Sequence, residues 1–310
     1  MTLPPLLRDR LSLPLIGSPM FIISQPDLVI AQCRSGIVGA FPSLNARPSG
    51  MFEQWLQQLA GALTEQDAPF AVNLIVHRTN TRLEEDLELC VRYRVPIVIT
   101  SLGAREDVNR AIHSYGGIVL HDVINNMFAK KAVEKGADGL IAVAAGAGGH
   151  AGTLSPFALV QEIRQWFDGP LALSGAIATG RAIAAARMMG ADLGYMGTPF
   201  IATQEANAEA AYKQMIVDGS AADIVYSDVF TGVLGNYLRP SIVAAGLDPD
   251  ALPKAKDMDF ASLTGGEKKA WRDVWGAGQG IGAIAKVQPA ADFIAGLKAQ
   301  YRAAVEGFTA

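Results

Sequence analysis

The sequence predicts a closed (β/α)8 TIM barrel with a small, mostly helical C-terminal cap. Eight short apolar runs recur between Leu13 and Met196, with helical patterns between them, which implies parallel βαβ units. The runs are continuous rather than alternating, as in strands buried on both faces. Polar residues and glycines gather just after the runs, the end at which such barrels carry their sites. An open doubly wound sheet would need a phosphate-binding glycine turn after the first strand, and Gly17-Ser18-Pro19-Met20 is not one.

The first run is Leu13 to Gly17. A helical pattern at Pro26 to Arg34 leads to the second, Gly36 to Phe41. A pattern at Met51 to Ala62 precedes the third, Phe70 to Leu74, and one at Leu83 to Tyr93 precedes the fourth, Ile97 to Thr100. Gly117 to His121 is the fifth. Met127 to Lys135 reads as a helix before the sixth, Gly139 to Ala144. Leu171 to Ser174 and Leu193 to Met196 complete the set. Beyond residue 205 the pattern changes. Ala206 to Val217 is helical, a loop rich in Pro, Asp and Lys covers Leu247 to Asp259, and helix signals return at Gly266 to Val274 and Pro289 to Glu306. The division that follows is a barrel of residues 1–217 plus 285–310 and a cap of 218–284 over the barrel mouth. The last helix is expected against the barrel wall.

Half of the 310 residues are apolar, ample for a large core. The net charge is −4 with no basic stripe, which argues against nucleic-acid partners. Cys33 and Cys90 have no metal-type spacing and read as small buried residues in a reducing compartment. No cluster of carboxylates and imidazoles has ligand spacing, so no metal is expected. Arg8 and Arg10 precede a proline-broken stretch rather than a leader's apolar core, and no run of about 18 apolar residues suggests a membrane span. The expected location is cytoplasmic.

The most informative segment is Ala144-Ala145-Gly146-Ala147-Gly148-Gly149-His150-Ala151-Gly152-Thr153. Its four glycines let the backbone approach a flat or charged ligand and leave one imidazole in the gap. The seventh run ends in Ser174-Gly175-Ala176 and the eighth in Met196-Gly197-Thr198. Loops at these two positions commonly hold phosphate in such barrels, with amides and a helix start favouring an anion. Asn73 and His121-Asp122 lie across the mouth, and Pro19 and Met20 are placed to flank a ring. The set suits a mononucleotide such as FMN, held and tuned by the protein, beneath His150. His121 is read either as a site residue or as a cap on its strand. Asn236 and Tyr237 are candidates to close the pocket from the cap, while His77 and His113 receive no role.

On Ala147 to Gly152, Leu173 to Gly180, Tyr195 to Thr203, Pro14 to Met20 and Phe70 to Leu74, the sequence resembles the nitronate monooxygenase family, formerly the 2-nitropropane dioxygenases, over residues 13 to 205. That family is related to the FMN-dependent enoyl-acyl-carrier-protein reductases. The resemblance implies FMN, with phosphate contacts at Gly175, Gly197 and Thr198. Ring contacts are implied around Ser18, Met20, Asn73 and Asp122, with His150 as the catalytic histidine. Gly148, Gly149, Ser174, Ala176 and Met196 complete the expected cofactor-binding set. The implied reaction is oxidation of alkyl nitronates by dioxygen to a carbonyl compound and nitrite. The competing expectations are an NAD(P)H-dependent reductase of quinones or enoyl thioesters, and a non-catalytic flavin or phospholigand-binding protein. A homodimer is expected by analogy with flavin barrels. Two departures stand out: Asp122 where some relatives carry lysine, and Pro199 where many carry arginine.

Overall fold

The structure, a computed structural model, describes residues 3–252 and 273–309. Its centre is an eight-stranded sheet of parallel strands: β1 (Leu15–Gly17), β2 (Gly39–Pro42), β3 (Phe70–Ile75), β4 (Ile97–Ser101), β5 (Ile118–Val123), β6 (Gly139–Val143), β8 (Leu171–Ser174) and β9 (Leu193–Met196). The two-residue strand β7 (Gly149–His150) lies outside it, in the glycine loop. The sheet runs β1-β9-β8-β6-β5-β4-β3-β2. It closes where Val38 donates to the Leu15 carbonyl at 3.1 Å and Gly17 donates to the Val38 carbonyl at 2.8 Å. The eight apolar runs are therefore the eight staves of a barrel.

Two layers of apolar packing follow from the two faces of these strands. Ile16, Ala40, Ala71, Ile99, Leu120, Ile141, Ala172 and Leu193 fill the barrel interior. Leu7 of the short helix α1 (Pro5–Arg8) joins this cluster, beside the strand-starting residues Ile97 and Leu193, so α1 stoppers the N-terminal end. The other face packs on the helices: α2 (Pro26–Arg34), α3 (Met51–Ala62), α4 (Leu83–Arg92), α5 (Glu106–His113), α6 (Asn126–Glu134), α7 (Pro156–Arg164) and α8 (Gly180–Met188). Their starts are set locally. Proline opens α2 and α7, the Asn125 side chain caps α6, and the Thr179 hydroxyl caps α8. Glu84, Glu85 and Asp86 line the first turn of α4 and Arg92 its last, matching the helix dipole. Cys33 and Cys90 are free and buried, and burial pushes the Cys33 thiol up to about 12.

After β9 come α9 (Thr198–Ile201) and α10 (Ala210–Asp218). The chain then forms an antiparallel ribbon of β10 (Ile224–Ser227) and β11 (Gly235–Leu238), followed by α11 (Arg239–Ala244). This ribbon adds strand to a segment that the sequence marks as mainly helical. Its β-branched and aromatic residues Ile224, Val225 and Tyr226 suit strand, and Gly232 turns the chain at φ +73°. The helix signal at Gly266 to Val274 lies almost wholly outside the described residues. The last helix, α12 (Ala290–Thr309), packs on α8 as expected, with Gln300 Oε1 accepting from the Gly180 amide at 2.9 Å and Arg187 donating to Tyr301 Oη at 2.6 Å. Among the described residues, no helix is long and apolar enough to cross a membrane.

Candidate active site

The C-terminal ends of the strands open into a cleft of about 1060 Å³. Ser18, Met20, Asn73, Asp122, Gly148, Gly149, His150, Ser174, Gly175, Ala176, Gly197 and Thr198 all line it, from segments as far apart in sequence as residues 18 and 198. Met196 does not. Its side chain is 1% exposed and belongs to the core between strands and helices. Strand alternation explains this: its neighbour Tyr195 faces the cleft, so Met196 must face the other way. Met196 serves through its backbone, whose carbonyl accepts from the Ser18 amide at 2.8 Å.

One wall is a polar chain across three strands. Asn73 on β3 donates to Ser101 Oγ at 2.8 Å and to the Ile99 carbonyl at 3.0 Å. Ser101 at the end of β4 donates to Asp122 Oδ2 on β5 at 2.6 Å. Burial raises the Asp122 carboxyl to about 6, and the Ser101 hydrogen bond opposes that rise. His121 precedes it, bonded through Nδ1 to Thr100 Oγ1 at 2.6 Å and lowered to about 4 by burial. His121 lines the cleft, so it is a site residue as well as a strand-end ligand. Met20 is fixed on the opposite side, its amide bonded to Ser24 Oγ and its carbonyl to Asn45 Nδ2.

The glycine loop is held more rigidly than a loop reading suggests. Gly149 and His150 form β7 and pair antiparallel with Asn236 and Gly235 of β11. A Cβ at Gly235 would stand 2.9 Å from the Gly149 carbonyl oxygen, so glycine is needed for this approach. Asn236 donates to the Ala147 carbonyl at 2.6 Å. His150 Nε2 lies 2.9 Å from Thr231 Oγ1. The Thr231 hydroxyl also lies 3.1 Å from the Val233 carbonyl. If its single proton goes to that carbonyl, its lone pairs receive the imidazole N–H. Burial lowers His150 to about 4, so the ring is neutral at pH 7 rather than near its ordinary value. Tyr237 does not close the pocket. It is fully buried, edge-on to Phe230 and packed with Ile242 and Val274.

The two turns after β8 and β9 face the cleft opposite this wall. Among the described residues, the amides of Gly175, Gly197 and Thr198 donate to no protein partner. Backbone donors left unpaired in a cleft call for an anion or water. The Ala176 amide is not part of this set, because it donates to the Gly146 carbonyl at 3.2 Å. The residues thus fit a phosphate at three of the expected positions, while Ala176 holds the glycine loop. Thr198 Oγ1 accepts from the Gly278 amide at 2.9 Å, and Gly146 also accepts from Gln279.

Four contributors were missed in the sequence: Thr231, Tyr195, Gly278 and Gln279. Thr231 and Gly278 act from segments without helical or strand period, and Tyr195 sits inside an apolar run. Among the described residues, no group of three or more His, Cys, Asp or Glu side chains could hold a metal ion.

A nitronate monooxygenase of Paraburkholderia phytofirmans is 25% identical, with 94% of this chain and 93% of that protein covered. One of Pseudomonas aeruginosa is 27% identical over 93% and 96%. Among solved structures, FabK of Thermotoga maritima superposes with a TM-score of 0.79 at 24% identity, covering 98% of this chain and 96% of that one. A nitroalkane oxidase of Streptomyces ansochromogenes gives 0.79 at 22% identity over 98% and 99%. These two likenesses concern the fold. A family model described as nitronate monooxygenase matches residues 7–300. With the histidine-bearing glycine loop and the two amide-lined turns on one cleft, the chain is an oxidoreductase that belongs to the nitronate monooxygenase family.

Proposed function

We propose that the protein uses FMN to oxidise small alkyl nitronates with dioxygen, giving a carbonyl compound and nitrite. The observation that carries this reading is the neutral, Thr231-held imidazole of His150, placed on the same cleft as the unpaired amides of Gly175, Gly197 and Thr198. Those amides would hold the cofactor's phosphate, with Ser18, Met20 and Asn73 along the ring. FMN, when bound, supplies the electron acceptor and the site of reaction with dioxygen.

His150 does the acid–base work. A neutral imidazole is a base of the right type to accept the α-proton of a neutral nitroalkane. For a substrate already ionised, no proton has to be removed and the ring orients the anion. The apolar rim of the cleft, including Ile124, Phe128 and Leu234, favours a small alkyl group over a charged one.

An NAD(P)H-dependent reductase is the second reading. Asp122 bears on it, because a carboxylate beside the ring would favour a reduced state that takes up a proton over one that stays anionic. A relative in Rhodococcus jostii, 24% identical, is named as a hydroxy-methyl-oxo-octahydroindene-carboxyl-CoA dehydrogenase; the chain covers 64% of that protein. Paired anaerobic titration separates the readings. Bleaching of bound flavin by a nitronate, but not by NADH, supports oxidation of nitronates, and the reverse pattern removes it.

A further inference from the structure

Asp122 is the unusual group in this cleft. It ends a chain of hydrogen bonds from Asn73 through Ser101, which occupies only its Oδ2. Its Oδ1 has no protein donor among the described residues and is not shut off from solvent, so it opens to the cleft. Among the described residues it makes no ion pair. The residue paired with it on β6, Ile141, is apolar. Tyr195 on β9, His150 in the glycine loop and Lys131 on α6 share the cleft, with Arg47, His77 and Asp228; burial first, and then the nearby Asp122 charge, raise the Tyr195 hydroxyl. His121, next in the chain, is bonded to Thr100.

We propose that the Asp122 carboxylate causes the site to take up a second proton when a bound flavin accepts an electron pair. The inference rests on the FMN reading above. A hydride donor such as NADH delivers two electrons and one proton, and the ring would become an anion. Two negative charges in one poorly hydrated cleft repel strongly. One proton from water then binds to the ring–carboxylate pair, which titrates as a unit. The donor is oxidised, the flavin is reduced, and nothing further is consumed. Burial already brings the carboxyl to about 6, so it is ionised in slightly alkaline solution and readily protonated beside a new negative charge. A lysine at this position would act oppositely, leaving the reduced ring anionic.

The test is the pH dependence of the bound flavin's midpoint potential between pH 7 and 8.5, measured by anaerobic spectroelectrochemistry on the intact protein and on Asp122→Asn. Asparagine keeps an oxygen for the Ser101 hydroxyl but cannot take the proton. The wild type is expected to follow two protons per electron pair and Asp122→Asn one, a twofold shallower slope. Equal slopes overturn the proposal, as does a one-proton slope in the wild type, whatever the variant does. A merely structural role for Asp122 alters flavin affinity or melting without changing the slope. Failure of the protein to bind flavin at all overturns this proposal and the FMN reading together, whereas bound flavin with equal slopes overturns this one alone.

Discussion

His150 and Thr231 are 81 residues apart in sequence, yet His150 Nε2 and Thr231 Oγ1 stand 2.9 Å apart. The contact joins the glycine loop to the turn between β10 and β11. Thr231→Val keeps the shape and removes the partner. One lost hydrogen bond of about 1 kcal/mol corresponds to roughly a fivefold drop in kcat. His150→Asn removes the proposed base and should lower turnover of neutral nitroalkanes by about 10²- to 10⁴-fold, with less effect on preformed nitronates. Both variants should retain flavin. Steady-state kinetics on the two substrate forms checks this, and unchanged turnover in His150→Asn contradicts the assigned role.

The buried titrating groups give stability a definite pH dependence. His121 and His150 sit near 4 in the fold against an ordinary 6.5. Between those values the unfolded chain binds protons that the fold refuses, so stability falls as pH drops from about 6.5 toward 4. Asp122, raised to about 6, has the opposite sign: the fold holds its proton, and that contribution is lost as pH rises through 6. The two imidazoles oppose Asp122 and also Asp86, a buried carboxyl that burial raises. Melting temperature is expected to be lower at pH 5 than at pH 7, and the fall should be steeper in Asp122→Asn. Calorimetry across that range decides it.

Gly197 lies in the turn after β9, where an added Cβ would stand 2.5 Å from Ser18 Oγ and 3.4 Å from Met20 Sδ. Gly197→Ala would force the Ser18 side chain, or the turn that carries the amides of Gly197 and Thr198, to shift in the cleft. Overpacking of this kind costs about 1–3 kcal/mol, so flavin affinity should fall about fivefold or more. Fluorescence titration of the apoprotein with FMN measures it.

Gly180 opens α8 directly beneath α12. A Cβ there would meet the Leu297 carbonyl oxygen at 2.2 Å and the Tyr301 amide nitrogen at 2.5 Å, both backbone atoms that cannot move aside. Gly180→Ala should therefore lower the melting temperature by several degrees, without altering the ratio of activities toward nitronate and NADH. A melting curve beside the two assays suffices.

The barrel was legible because its strands are buried on both sides, and burial writes itself as uninterrupted apolar runs. Helices such as Pro26–Arg34 and Met51–Ala62 matched their sequence pattern residue for residue. The cleft was legible where chemistry demands glycine or an imidazole at a strand end, as at Gly197 and His150. Met196 was misplaced because a run of apolar letters does not reveal which face each one takes. Thr231 was invisible for another reason: its partner is fixed by the pairing of β7 with β11, a long-range register that no local period encodes. The pKa of His150 likewise depends on burial, which only the fold supplies.

The pairing of β7 with β11 means that the imidazole rides on the same strand system as the outer ribbon. In many barrels, the segment above the mouth can be exchanged while the reacting groups stay anchored below. Here the two are stitched together. Grafting residues 224–238 from a relative would reset the position of His150 along with the shape of the entrance, so selectivity and chemistry can change only in concert.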